Sequence, residues 1–365
     1  MKTVVALPQP NYGRNMFILF GSLFVFAAGL VAYLKSKKDL SLIITEIIYE
    51  IKYNALGAKA LIDDLIEAKR NKIDLPKKSG KVAIVTGGSR GIGSEIVKML
   101  LQCDMEVIIA CRTPAAGDRL IRLLRDSGVT EGTGKVYELD NNSLESVRRF
   151  AESIKRNYSK IDVLVNNAGI MFTPYTETTD GFEQQWGINY LSHFLLTSLI
   201  LPLLQAAGSA RESARIVNVS SCAHHVGIIN FDDINYKSGF ITSAAYAQSK
   251  LAQIMFTKSV QDLLINRRYP VQAFAVHPGI VNTDLFNNTY LKKHAGWIIN
   301  KFFKNPSQGA TPIVYAAISR TIEGKGGMYI SNCGPSSVNK AAENTEIRQR
   351  LFNLSLEQTE LKDFI

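Results

Sequence analysis

Tyr246 and Lys250 stand four residues apart in Ala245-Tyr246-Ala247-Gln248-Ser249-Lys250, inside a stretch of helical pattern. At 3.6 residues per turn, that spacing stacks both side chains on one helix face. A phenol of ordinary pKa about 10 is a weak base at neutral pH, and a cation beside it favours the phenolate. The pair can therefore act as acid and base towards a hydroxyl or carbonyl oxygen. Y-x-x-x-K is common by chance, so the argument needs further residues. Ile216-Val217-Asn218-Val219 reads as a strand that ends on Ser220 and Ser221, hydroxyls able to hydrogen-bond such an oxygen. Asn166-Asn167-Ala168-Gly169 ends another apolar run, Asn189 lies in a helical pattern beyond it, and His277-Pro278-Gly279-Ile280-Val281-Asn282-Thr283 follows a third run. Ligand-facing groups of an open parallel sheet collect at such strand ends.

The elements that must position these residues follow from the hydrophobic pattern. Short apolar runs at 82–85, 107–110, 136–139, 161–165, 216–219 and 271–276 alternate with amphipathic stretches. Alternation of strand and helix predicts βαβ units and an α/β fold, a single doubly wound parallel sheet of Rossmann type. The first βα turn reads Thr86-Gly87-Gly88-Ser89-Arg90-Gly91-Ile92-Gly93, directly after the strand 82–85 and at the start of a helix. Glycines there let the backbone close on a pyrophosphate, and the helix N-terminus favours its charge. The second strand ends Ala110-Cys111-Arg112. A site for NAD usually offers a carboxylate at that point, whereas a guanidinium pairs with a 2′-phosphate. Arg112, with Arg90 as a second contact, favours NADP, with NAD as the alternative.

Taken together, T-G-x-x-x-G-x-G, N-N-A-G, an Asn in the following helix, a strand-end Ser, Y-x-x-x-K and P-G occur in the order of the short-chain dehydrogenase/reductase family, which residues 80–335 resemble. The resemblance implies that Tyr246 is the proton donor and acceptor and that Lys250 holds the cofactor ribose and depresses the tyrosine pKa. Ser221, the second serine of its pair, would orient the substrate oxygen, and Asn189 would anchor a water leading to solvent. It implies a cofactor site of Gly87, Ser89, Arg90, Gly91, Ile92, Gly93, Arg112, Asp140, Asn167, Ala168, Gly169, Tyr246, Lys250, Val281 and Thr283, with Asp140 facing the adenine. The 25 residues from Ser221 to Tyr246 leave room for an insertion at 223–243, as in the retinol-dehydrogenase-like branch. That branch implies a lipophilic alcohol, aldehyde or ketone as substrate, long isoprenoids foremost and retinoids or steroids as rivals. It also leaves a homodimer open. A catalytically idle, membrane-bound binding protein is the competing reading, opposed by an intact Ser221, Tyr246 and Lys250.

The N-terminal part adds a membrane. Residues 16–34 (MFILFGSLFVFAAGLVAYL) are 19 residues without a charge, about 28 Å of helix and so about one bilayer core. The run is longer than the core of a signal peptide, and Lys35 follows it in place of a small-residue cleavage site. An uncleaved anchor is expected, with a signal peptide or a buried helix as alternatives. The domain plan is thus a short segment 1–15, the anchor 16–34, a basic amphipathic helical linker 35–80, the catalytic domain 81–335 and a helical tail 336–365. Within 40–68 the pattern is helical, broken at Gly57, and fits either packing on the domain or lying in the membrane interface. Residues 1–80 carry 12 Lys/Arg against 7 Asp/Glu, out of a net charge of +10. Lys35, Lys37 and Lys38 behind the anchor predict a catalytic domain on the cytosolic face, with the endoplasmic reticulum as the expected membrane.

No nucleic-acid-binding motif accompanies the positive charge, so no nucleic-acid partner is expected. Four dispersed cysteines without a C-x-x-C pair suit a reducing compartment, and no residue set has metal spacing. Cys222 reads as a small buried residue, and His224 and His225 as a solvated or core-packed pair. The apolar, lysine-rich stretch 285–303 fits a lid over a lipid substrate or ordinary helix packing. Sequons at Asn141, Asn157, Asn218, Asn287 and Asn353 carry little information, since one lies in a core strand.

Overall fold

The computed structural model describes residues 40–286 and 301–364. The expected anchor, 16–34, and most of the expected lid lie outside the described residues. The chain divides after Lys52 into two compact units. Helix α1, Leu40–Ile66, passes without interruption through Gly57, where the sequence pattern had placed a break. Glycine costs a helix interior only about 1 kcal/mol relative to alanine, too little to stop a helix with apolar residues on both sides. No atom lies within 4 Å of where a Gly57 Cβ would stand, so packing does not require the glycine either.

The second unit holds the sheet. β1 (Val82–Thr86), α2 (Gly91–Gln102), β2 (Glu106–Cys111), α3 (Pro114–Asp126), β3 (Thr133–Glu138), α4 (Leu144–Asn157) and β4 (Val163–Asn166) form its first half. A short turn, Gln184–Trp186, and a π-turn, Gly187–Leu191, lead into α5 (Ser192–Ala207). β5 (Ala214–Val219), α6 (Thr242–Asn266), β6 (Val271–His277), α7 (Pro306–Ile318), β7 (Tyr329–Ser331), β8 (Gly334–Pro335) and α8 (Thr345–Gln358) follow. The strand order is β3-β2-β1-β4-β5-β6-β7-β8, parallel throughout except for the final β7–β8 pair. The order reverses between β1 and β4, which is where open α/β sheets bind ligands. β7 and β8 are additions to the six strands read from sequence. At three and two residues they are too short to show alternation.

Period-two side chains feed two cores. Ile84, Ile108, Leu164 and Ile216 face Phe194, Leu201 and Phe256 on one side of the sheet. Val85, Ile109, Val165 and Val217 face Ile96, Leu100, Ile313 and Val314 on the other. Burial on both faces explains why the strands read as continuous Val/Ile runs. Residues 184–207 are long and apolar enough to cross a membrane, yet 78% of their apolar 18-residue window is buried in the protein. The C-terminal residues complete the core around it. Trp186 Nε1 donates to Gln358 Oε1 at 3.0 Å, Tyr190 shares a 2.6 Å hydrogen bond with Ser355, and the buried Phe364 ring lies 5.0 Å from Phe194.

Candidate active site

Thr86 ends β1 and ties two loops together. Its Oγ1 accepts from the Asn167 and Ala168 amides at 2.9 and 3.0 Å, and Asn167 Nδ2 donates back to the Thr86 carbonyl at 2.9 Å. The glycines that follow make a cradle no side chain could share. A Cβ on Gly93 would stand 2.2 Å from the Gly87 carbonyl oxygen, and one on Gly87, at φ +64°, would stand 3.0 Å from Ala168 Cα. Helix α2 starts at Gly91 with no side-chain cap from Arg90, so no capping side chain occupies its first-turn amides. Ile92 and Gly93 belong to that turn, and Thr283 stands 3.8 Å from where a Gly91 Cβ would be. This open cradle at the switch point fits a dinucleotide pyrophosphate.

The remaining expected cofactor residues surround it. Arg90 and Arg112 are exposed, and neither has a carboxylate partner among the described residues. Ser89 lies close enough to the Cys111 thiol to hold its pKa down against the effect of burial. Asp140 uses one carboxylate oxygen to cap its own turn, accepting from the Asn142 amide at 3.0 Å. Gly169 lies beside the lysine, where a Cβ on the glycine would stand 3.7 Å from Lys250 Nζ. Val281 is buried and bridges to Lys304 in the loop after β6. The first of the two asparagines at 166–167 is structural, donating to Asn218 at 2.8 Å across β4 and β5.

Of the two serines after β5, the structure separates the roles. Ser220 is buried, its hydroxyl spent on the Lys250 carbonyl at 2.8 Å. Ser221 accepts from the Ala223 amide at 3.2 Å, and its hydroxyl is close enough to Tyr246 to act on the phenol's pKa. Tyr246 and Lys250 are each 4% exposed, with Nζ 5.6 Å from the tyrosine ring centre. Nζ donates to the Val219 carbonyl at 2.9 Å and to Gln253 Oε1 at 3.2 Å. Burial pushes the Tyr246 phenol well above its usual range, with Ser221 pulling the other way. Burial also pulls Lys250 down to about 7. Desolvation disfavours both charged forms, so the phenol of this state is a proton donor.

Asn189 sits in the π-turn, an irregularity that recurs at functional sites. Its side chain pins Ile170 in both directions, accepting from N at 2.8 Å and donating to O at 3.0 Å. Its carbonyl accepts from Gln253 Nε2 at 2.6 Å and from His193 Nδ1 at 3.1 Å. Gln253 and His193 were not legible as site residues. Gln253 does continue the Tyr246, Lys250 spacing at i+7, which was the available signal.

Two aromatic residues were also missed. Phe172 lies 6.1 Å, ring to ring, from Tyr246, and Tyr53 of α1 lies 5.5 Å from Phe172. Phe172 holds φ +55°, a left-handed conformation unusual for a bulky residue and typical of functional loops. His224 packs on Tyr329, ring centres 4.7 Å apart, and burial pulls its pKa to about 3, so it belongs to the core. Burial pushes the Cys222 thiol up to about 12, which leaves it unreactive.

Residues 81–294 match the short chain dehydrogenase family. The chain is 36% identical over 321 residues to human (Homo sapiens) polyprenol dehydrogenase, covering 86% of this chain and 96% of that one. It is 37% identical over 278 residues to mouse (Mus musculus) retinol dehydrogenase 12, covering 76% and 86%. A solved structure of an uncharacterised protein from Mycobacterium Paratuberculosis aligns with TM-score 0.65 at 33% identity, covering 79% and 96%. The chain belongs to the short-chain dehydrogenase/reductase family and is an NAD(P)-dependent oxidoreductase acting on CH–OH groups. Within the family it falls in the retinol-dehydrogenase-like branch.

Proposed function

We propose that this chain is a membrane-anchored oxidoreductase that prefers NADP(H) and interconverts a lipophilic alcohol with its aldehyde or ketone. Long isoprenoids such as polyprenol and dolichal are the first candidates. Retinoids are the second, favoured by the 37% identity to retinol dehydrogenase 12. The observation that carries the chemistry is Tyr246 and Lys250 buried on one face of α6, Nζ 5.6 Å from the tyrosine ring centre, with Ser221 acting on the phenol. The bound nicotinamide cofactor would supply or take the hydride. Gly87, Ser89, Gly91, Ile92 and Gly93 would hold its pyrophosphate, Arg112 and Arg90 its 2′-phosphate, and Asp140 its adenine. Asn167, Ala168, Gly169, Val281 and Thr283 complete the proposed cofactor site, and Lys250 would hold the ribose. Ser221 orients the substrate oxygen, and the protonated Tyr246 gives its proton to a carbonyl. The aromatic pair Phe172 and Tyr53 supports an apolar substrate. The anchor at 16–34 and the basic 35–80 segment support a membrane location, the endoplasmic reticulum first, with the catalytic domain cytosolic.

The test is NADPH oxidation by the purified full-length enzyme with dolichal, all-trans-retinal and steroid ketones, compared as kcat/KM. Dolichal is expected to lead, and a steroid ketone leading the series would overturn the isoprenoid assignment. Tyr246→Phe should lower kcat by about 10²–10⁴-fold while NADPH still binds. Near-native turnover in that variant would overturn the catalytic assignment.

A further inference from the structure

We propose that Gln253 is the positioning residue of the catalytic lysine, a side chain that bridges Lys250 to the Asn189 carbonyl. The proposal rests on the reading of Lys250 as a site residue and adds what holds it. Three side chains of α6 line one face at i, i+4 and i+7: Tyr246, Lys250 and Gln253. Gln253 is 1% exposed. Its Oε1 accepts from Lys250 Nζ at 3.2 Å, and its Nε2 donates to the Asn189 carbonyl at 2.6 Å.

The Asn189 carbonyl takes a second side-chain donor as well. Its second position accepts from His193 Nδ1 at 3.1 Å, which places the imidazole proton on Nδ1. His193 Nε2 then accepts from Thr86 Oγ1 at 3.0 Å, so the circuit runs from the lysine to the glycine turn. Burial holds His193 neutral, at about 3. The groups that face Lys250 are Tyr246 on its own helix, Asn189 and His193 on the π-turn and α5, and the Val219 carbonyl at the end of β5, with Ser221 and Cys222 beyond Tyr246. Among the described residues, no carboxylate faces Lys250. A glutamine amide gives the ammonium an acceptor without neutralising it. It also has no proton to pass on at neutral pH. On this side, therefore, the lysine is held in place by a neutral amide.

The test uses two substitutions that nearly keep the volume. Gln253→Met removes the acceptor, and Gln253→Glu makes it anionic. A lysine whose folded pKa is depressed makes stability rise with pH between that pKa and its unfolded value, because the unfolded chain then binds more protons. Thermal midpoints of the cofactor-free, full-length enzyme are measured from pH 6.5 to 9.5. Relative to wild type, Gln253→Met should steepen the rise at its acid end, and Gln253→Glu should flatten it. Turnover with NADPH gives the second readout. The limb that Lys250 contributes should move to lower pH in the Met variant and to higher pH in the Glu variant, by about one unit each. Identical pH dependence in all three proteins, or shifts in the same direction, would overturn the proposal. Lys250→Arg separates it from the site reading. A guanidinium does not titrate here, so a limb that survives in that variant refutes Lys250 as its owner, whatever Gln253 does.

Discussion

Asp64 is 5% exposed and Lys304 8%, and their charges meet at 2.9 Å. The remaining capacity of the pair is filled. Asp64 accepts from the Ile280 amide at 2.8 Å and from Asn332 Nδ2 at 3.1 Å, and Lys304 donates to Asn332 Oδ1 at 2.6 Å. Asp64→Ala strands a buried cation and two donors. Removing one partner of a buried pair costs about 3–5 kcal/mol, a large share of the roughly 5–15 kcal/mol that holds a protein folded. The pair also closes on Gly279, where a Cβ would lie 2.4 Å from Lys304 Nζ and 2.7 Å from Asp64 Oδ2. That loop leads into Val281 and Thr283, so NADPH affinity should fall with stability. Urea unfolding of the full-length protein, followed by far-ultraviolet circular dichroism, measures the loss. Asp64→Ala/Lys304→Met removes both charges and should recover most of it. A single variant within 1 kcal/mol of wild type, or a double variant as unstable as the single, would refute the reasoning.

Arg112→Asp should lower the NADP:NAD preference at least about tenfold, since losing a charge-assisted hydrogen bond costs roughly 1.5–3 kcal/mol. Isothermal titration with both cofactors checks it, and an unchanged ratio would mean that Arg112 takes no part. Lys250→Met should abolish turnover and, in the cofactor-free protein at pH 6.5, raise the thermal midpoint. Burial holds Lys250 at about 7, so at that pH the wild-type fold bears a charge it does not favour. The advantage should shrink as pH rises through 7 and the wild-type lysine loses its proton. Protease added to intact microsomes should digest the catalytic domain without detergent, and the sequons should stay unglycosylated. Protection of the domain would reverse the orientation.

Local pattern was enough for the sheet and the glycine turn. Strands buried on both faces must be continuous Val/Ile runs, and a turn that closes on phosphate must be glycine, so both constraints are written in consecutive residues. The same holds for Tyr246 and Lys250, which one helix brings together whatever else the chain does. Tertiary structure alone decided the rest. Asp64 and Lys304 are 240 positions apart and become an ion pair only once the C-terminal end of α1 and the loop after β6 meet. Tyr53 reaches Phe172 across a gap of more than a hundred residues, and nothing in the spacing of either residue announces the contact. Gly57 looked like a helix break because propensity is weak, about 1 kcal/mol, and the rest of the helix outweighs it. The bond that spends the Ser220 hydroxyl on the Lys250 carbonyl, and the two side-chain donors to the Asn189 carbonyl, turned on which way a hydroxyl or an amide points. Direction in space is set by packing from distant segments, and a linear sequence does not encode it at the residue concerned.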